Sequence, residues 1–435
     1  MKKIQRLITR IGLTLLAGVL IGGGVLGSGK MTPHATAAAA GNGYVYYNSE
    51  DALYRVPTAG GTAQKLSENF SGDYLEATSK YLYFFESDDL SKLQRLSLTE
   101  NNALISSFAG DKNILFYQIE GDYLYFLDDK GVIYRSPANA ADDSQIKQIA
   151  NNADTEFPGF FVVNGRIYYN VLKNGTNTWA ASKSRDGSGN VQFIAQGAIP
   201  SSDYIYSTPT GTSVMVDIKP AETYYSLNSM VLYTLPLNGG NPKAVNANNP
   251  LDANATYSGF WTNNYYIYNK GITVDDDDNY VYSKSKGYAI DKSGKIFQLS
   301  QTGIVGITEM GGNKFAYVDG NGKASISTVA NGKVTSTKPI ALTNVTNLFK
   351  VQNGTAAGQV VLFAASGTFA LNADLTLTKL NGVTWDNSAI YESATGIYYF
   401  NGEDNECLYK MSADGKTKLK LSDGPVTEIY TISSN

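Results

Sequence analysis

The side chains able to do chemistry in this sequence are defined first by an absence. Its one histidine, His34, lies within the first forty residues, and none follows. Serine or cysteine nucleophiles activated by histidine are thereby excluded, as are His-ligated zinc, copper, non-haem iron and haem. Carboxylate, lysine, tyrosine and calcium chemistry remain. Acid pairs recur in turn-like segments: Glu50 with Asp51, Asp88 with Asp89, Asp128 with Asp129, Asp142 with Asp143, and Glu403 with Asp404. Two carboxylates flanking a glycosidic bond are what glycoside hydrolysis requires, but no spacing singles out one pair, and adjacent acids on a turn are more often solubilising. The run Asp275–Asp278 in GITVDDDDNYVY offers four carboxylates to calcium, which takes six to eight oxygen ligands. It lacks the alternating acid spacing of a calcium loop, and a like-charge run is ordinarily solvated.

The remaining candidates are few. Trp179, Trp261 and Trp385 are the only tryptophans available as sugar platforms, and each stands in a strand-like context that favours core packing. The single cysteine, Cys407, permits no internal disulfide; in NGEDNECLYK it reads as a small, half-buried apolar residue rather than a reactive thiol. Neither SRDGSGNVQF at Ser184 nor SADGKTKLKL at Ser412 completes the S-x-D-x-G-x-T-W box of sialidase-like propellers. The sequence thus assigns no catalytic, cofactor-binding or metal-binding residue, and no cofactor. With 35 basic and 39 acidic residues, it carries no basic footprint for nucleic acid.

What must position any of these groups is a repeat. An aromatic strand, a polar turn, a second strand often containing Leu-Tyr, a Gly or Asp-Gly turn and a third strand recur from end to end. The clearest copies are YVYYNSEDALYRVPTAGGTAQKLS from Tyr44 and IYYFNGEDNECLYKMSADGKTKLKLS from Ile397. Others start at Tyr81, Tyr123, Ile167, Val214 and Tyr266, with weaker copies at Phe315 and Val360. Successive starts lie 37 to 52 residues apart, the length of a four-stranded propeller blade with its turns. The third position of the aromatic strand is Tyr in seven of the nine copies: Tyr46, Tyr83, Tyr125, Tyr169, Tyr268, Tyr317 and Tyr399. Strand side chains alternate faces, so this fixed phase predicts that the rings pack between blades, with each hydroxyl reaching a polar partner or water.

Most copies are preceded by a further strand candidate: DYLEA before Tyr81, NILFYQI before Tyr123, GFFVV before Ile167, DYIYS before Val214 and SAIYES before Ile397. The copy at Tyr44 lacks one, while a spare strand, VTEIYTISSN, follows the last copy. A ring closed by the C-terminal strand explains both, and closure removes two exposed sheet edges. The expected fold is all-β, a single closed β-propeller of eight or nine four-stranded blades over residues 41–435. The competing architecture is two smaller propellers or sandwiches divided near the loop at 245–259.

The first forty residues read as a signal peptide: MKKIQRLITR supplies Lys2, Lys3, Arg6 and Arg10, then IGLTLLAGVLIGGGVLG follows, and A-x-A patterns at Ala35 to Ala40 place cleavage between Ala37 and Gly41. No cysteine follows the apolar stretch to carry a lipid anchor. A secreted monomer with no membrane span after cleavage is expected.

The aromatic strand, the Leu-Tyr strand and the Asp-Gly turn together resemble a bacterial secreted domain family of unknown function, described as similar to the propellers of low-density-lipoprotein-receptor-related proteins. The matching segments are Tyr44 to Ser67, Tyr123 to Ala150 and Ile397 to Ser422. The receptors' Tyr-Trp-Thr-Asp signature is replaced by Tyr-Tyr and Tyr-Phe pairs, so their calcium and ligand sites do not transfer. The resemblance implies a binding or scaffold module without an established reaction. The leading functional expectation is a non-catalytic module for an extracellular or cell-envelope partner, protein or polysaccharide. Its rival is a carbohydrate-active enzyme using carboxylates in the propeller funnel.

Overall fold

The computed structural model describes residues 43–433 apart from 51, 69, 71, 87–88, 99–104, 164, 176, 198–212, 219–230, 237–242, 247–259, 262–264, 276–279, 312, 351–358, 381–389, 394–395 and 413–416. The leader with His34, Trp385 and Asp276–Asp278 lie outside the described residues. No helix among the described residues is long and apolar enough to cross a membrane.

The described residues are all-β. They form nine successive antiparallel sheets, eight of four strands and one of three, with a two-stranded hairpin besides. Each aromatic strand expected from the repeat is present: Tyr44–Ser49, Tyr81–Glu86, Tyr123–Asp128, Arg166–Lys173, Ser213–Ile218, Tyr265–Lys270, Lys314–Asp319, Val360–Ala364 and Gly396–Asn401. The strands expected ahead of them appear as Gly72–Ala77, Ile114–Glu120, Phe160–Val163 and Ile390–Ser393. The one expected before Val214 lies outside the described residues. The copy that was weak at Phe315 carries a full sheet, Ile304–Gly311, Lys314–Asp319, Ala324–Ala330 and Lys333–Pro339, joined in sequence order. The copy at Val360 is equally complete. Three-strandedness falls instead on the fifth sheet, Ser213–Ile218, Val231–Pro236 and Lys243–Ala244, as described.

The first sheet departs from sequence order. Its edge beside Tyr44–Ser49 is taken by the C-terminal strand Glu428–Ser433, antiparallel, with Tyr44 opposite Ser433 and Asn48 opposite Glu428. The spare strand therefore pairs where the repeat required it. Asn48 Nδ2 donates to the Tyr430 hydroxyl at 3.3 Å, and Ser49 Oγ donates to the Pro425 carbonyl at 2.6 Å.

By contact density the chain divides into two compact units, with the boundary at Asp252 and Ala253, inside the loop singled out at 245–259. Of the described residues, one unit takes those up to Asp252 with Ser393–Lys410 and those from Lys418 onward; the other takes those within Ala253–Glu392 and Met411–Thr417.

Alternation explains the cores. All seven third-position tyrosines are buried, at most 5% exposed, as a fixed strand phase demands. Tyr46 packs with Leu53 of its own sheet and with Phe70, Leu82 and Phe84 of the next. Tyr83 packs with Phe108, Leu124 and Phe126, and Tyr125 with Phe160, Ile167 and Tyr169. In the other unit Tyr317 packs with Ile267, Ala289 and Phe315. Each ring so buried contributes about 1.5–3 kcal/mol. Turn chemistry fits the chain just as closely: Asp128 Oδ1 accepts from the Lys130 and Val132 amides, and Gly131 adopts φ +75° where a Cβ would stand 2.5 Å from the Ala153 carbonyl oxygen.

Candidate functional site

The acid pairs share a place in the repeat. Glu50, Asp128 with Asp129, and Glu403 with Asp404 all stand at the turn that follows an aromatic strand, and the acidic run opens in the longer segment after Tyr265–Lys270. Asp128, Asp129, Asp142, Asp143 and Asp404 are engaged by neighbouring donors. Asp128 also accepts from the Tyr134 hydroxyl at 3.3 Å, and Asp129 from Asn113 Nδ2 at 2.9 Å. Asp142 caps the short 3₁₀ turn Asp143–Gln145 through the Ser144 amide, and Asp143 accepts from the Ala109 amide at 2.9 Å. Asp404 pairs with Lys420 at 2.6 Å and accepts from the Tyr409 hydroxyl, contacts that hold its carboxyl below the usual range. Asp51, Asp88 and the side chain of Asp89 lie outside the described residues.

The cations of the second strand are used between sheets. Arg55, Arg95 and Arg135 stand directly opposite Tyr46, Tyr83 and Tyr125. Each guanidinium lies over the tyrosine two residues earlier, Tyr44, Tyr81 or Tyr123, at 4.7, 5.0 and 4.4 Å from the ring centre. Each then donates to a backbone carbonyl of the following sheet: Arg55 to Leu98, Arg95 to Ala140 and Ala141, Arg135 to Arg185. Lys410 of the ninth sheet makes a related link: its ammonium lies 5.8 Å from the ring centre of Tyr398, the residue just before Tyr399, and donates to the Thr58 carbonyl of the first sheet at 2.7 Å. Sequence reasoning passed over these residues, although the signal stood in LYR, LQR, IYR and LYK, where the cation always follows the Leu-Tyr-like pair.

One carboxylate cluster emerges that no sequence spacing announces. Glu76 ends the strand Gly72–Ala77 and accepts from the Ile119 amide at 2.7 Å, so it covers a free amide on the neighbouring sheet's edge strand. The residue is half-buried, but its carboxyl end is enclosed, and burial, helped by the nearby charge of Glu120, pushes it up to about 8. Burial also raises Glu120, against the opposing pull of Arg185. Tyr117, deep in the same seam, has its hydroxyl within reach of two carbonyl acceptors, that of Tyr83 at 3.0 Å and that of Tyr74. Tyr74 sits at a bulge with φ +57° and is 59% exposed.

The two carboxyls of this pair have different partners. Ile119 packs with Tyr83 and Phe85 on the side of the second sheet, whereas Glu120, one residue on, turns to the other face and feels Arg185 from the fourth. An acid and a base must both reach a single bond.

The other candidates are plainly placed. Trp179 is half-buried with the Lys173 ammonium 4.0 Å over its ring and Phe193 at 5.9 Å, so its face is already covered. Trp261 lies in the strand Phe260–Trp261. Cys407 is 2% exposed, deeper than the half-buried position expected. Tyr83 meets the hydroxyl expectation by donating to the Ala138 carbonyl at 3.1 Å. The hydroxyls of Tyr125, Tyr169 and Tyr399 are buried without a protein hydrogen-bond partner among the described residues. Ring burial outweighs one unmet hydroxyl, which costs about 1–3 kcal/mol. Of the acidic run, Asp275 is exposed and the rest lies outside the described residues. Among the described residues no group of three or more His, Cys, Asp or Glu is arranged to hold a metal ion.

No protein-family model and no curated protein matches the chain. Among solved structures it is similar to the computationally designed protein Ika8, at 10% identity over 81% of this chain and 96% of that one, TM-score 0.41. It is similar to AztD from Citrobacter koseri, at 10% identity over 90% and 98%, TM-score 0.41. A third likeness is to BamB from Moraxella catarrhalis, at 13% identity over 75% and 92%, TM-score 0.37. Likenesses of this order speak to no site.

Proposed function

We propose that the chain is a secreted, non-catalytic β-propeller of nine blades, released after removal of residues 1–40, that binds an extracellular or cell-envelope partner. The ring is closed by the strand Glu428–Ser433, and the family resemblance read from the repeat points the same way. Supporting closure are the nine consecutive sheets, the pairing of the C-terminal strand with Tyr44–Ser49, and the Lys410 contact to Thr58, which repeats between the ninth and first sheets what Arg55, Arg95 and Arg135 do between neighbours. The observation that carries the functional reading is how the reactive side chains are occupied. Cations latch sheets, tyrosines fill the seams, and Asp128, Asp129, Asp142, Asp143 and Asp404 are each engaged by neighbouring donors. The test is retention of an envelope fraction on the immobilised mature chain, compared with the same chain heat-unfolded. Specific retention of a protein or polysaccharide is expected. Release of reducing sugar from envelope polysaccharide, abolished in Glu76→Gln or Glu120→Gln, would overturn the reading in favour of the enzyme.

A further inference from the structure

An open cleft of about 320 Å³ lies in the unit that contains the third and fourth sheets, between the turn after Tyr123–Asp128, the turn after Arg166–Lys173 and the segment joining the two sheets. Asp129, Lys130, Asn152, Thr155, Leu172 and Asn174 line it. Its volume is at the low end for small-molecule sites, roughly 300–1,000 Å³, so it admits a short ligand and not a folded partner. Among the described residues the side chains of Lys130, Asn152, Thr155 and Asn174 make no hydrogen bond to the protein itself, and Asp129 has given one oxygen to Asn113.

The chemistry selects a class of ligand. One carboxylate and one ammonium on adjacent residues leave the cleft without net charge, so an anion or cation gains little there. The apolar wall is a single large side chain, Leu172, too little for a lipid or aromatic ligand. What is abundant is amide and hydroxyl capacity, which a polyhydroxylated, uncharged ring matches donor for acceptor. The backbone is well anchored beneath: the Leu172 amide donates to the Asn152 carbonyl at 2.8 Å, and the Ala153 amide to the Gly131 carbonyl at 2.9 Å. From these features we infer that the cleft binds a neutral saccharide unit, through Asn152, Thr155 and Asn174 with Lys130 and Asp129 at its rim. This rests on the binding-module reading and names the ligand of one site within it.

Saturation-transfer NMR of the mature chain with maltose, cellobiose and N,N′-diacetylchitobiose tests it, with glycylglycine as a zwitterionic control. At least one disaccharide is expected to receive saturation. The double variant Thr155→Val with Asn174→Gly, the glycine suiting φ +56°, should weaken that binding tenfold or more at an unchanged melting temperature. Lys130→Met, a single exchange at the rim, gives a second reading should the double variant fail to fold. Tighter binding of the matching hexasaccharide assigns a polymer as the natural source, and equal binding a free sugar. Silence from all three disaccharides, binding untouched in either folded variant, or binding of glycylglycine alone overturns the inference. Retention of an envelope protein together with saccharide silence would leave the module standing and remove only this site.

Discussion

Replacing Glu76 with glutamine isolates one proton. In the folded chain the Glu76 carboxyl holds its proton up to about pH 8, against an ordinary value of 4.5. Between those limits the folded state binds more protons than the unfolded one, so stability contributed by this group is full below about pH 4.5 and is lost as pH rises toward 8. At about 1.36 kcal/mol per pH unit, the span from pH 5 to pH 8 amounts to at most about 3.5 kcal/mol, and on the order of 2 kcal/mol once the half-buried residue relaxes toward solvent. Glutamine keeps an oxygen for the Ile119 amide and mimics the protonated acid, so at pH 5 the variant should melt with the parent. By pH 8 it should melt several degrees higher. Glu120, also raised, titrates in the same sense, but it is present in both proteins and cancels in the difference. Asp142, Asp186, Asp374 and Asp404 are held low, so their linkage falls at acid pH, outside the window. Paired thermal melts from pH 5 to pH 9 read the difference directly. A difference that stays flat, or a parent that gains on the variant as pH rises, would refute the placement of Glu76 in the seam.

Three further outcomes follow from the packing. Ending the chain at Pro425 removes the buried Val426, Ile429 and Tyr430 and bares the edge of Tyr44–Ser49; a loss of about 3–6 kcal/mol, with aggregation on heating, should appear in thermal melts, far beyond the effect of trimming a loose tail. Tyr83→Phe deletes a hydroxyl that donates to Ala138 and should cost about 1 kcal/mol, whereas Tyr169→Phe deletes an unpartnered one and should be neutral or stabilising in the same urea titration. Arg95→Met keeps a stem over Tyr81 but loses both bonds to Ala140 and Ala141, and should cost about 1–2 kcal/mol in a denaturant midpoint, nearly all of it restored by no other single exchange than Arg itself.

The repeat was legible because it is written in period two. A tyrosine fixed at the third position of seven strands declares which face meets a neighbour, and the structure buries all seven. The spare strand was legible by counting, since one copy lacked a partner and one end had a strand to give. Glu76 was not legible. Its neighbour Ile119 is 43 residues away, and only the stacking of two sheets makes a half-buried carboxyl out of what the sequence presents as a polar strand end. The cleft was hidden for the same reason: Asp129, Asn152 and Asn174 are ordinary turn residues until three turns from two sheets come together.

The latch residues lie between these cases, and they show what a repeat can hide. A cation is ordinarily assigned to solvent, but directly opposite residues of an antiparallel pair share a face, so the cation opposite a seam tyrosine lies in that same seam. An arginine opposite a buried tyrosine then has nowhere to go but along the seam, where its stem covers the ring two residues before that tyrosine and its head must find acceptors. Backbone carbonyls of the next sheet's turn are acceptors that the repeat offers at corresponding places, and Lys410 in the ninth sheet meets one with a single bond, as Arg55 and Arg135 do. The motif that stacks sheets in this chain is therefore the tyrosine together with its cation, and the fourth sheet, with Ala181 opposite Tyr169, carries the first without the second.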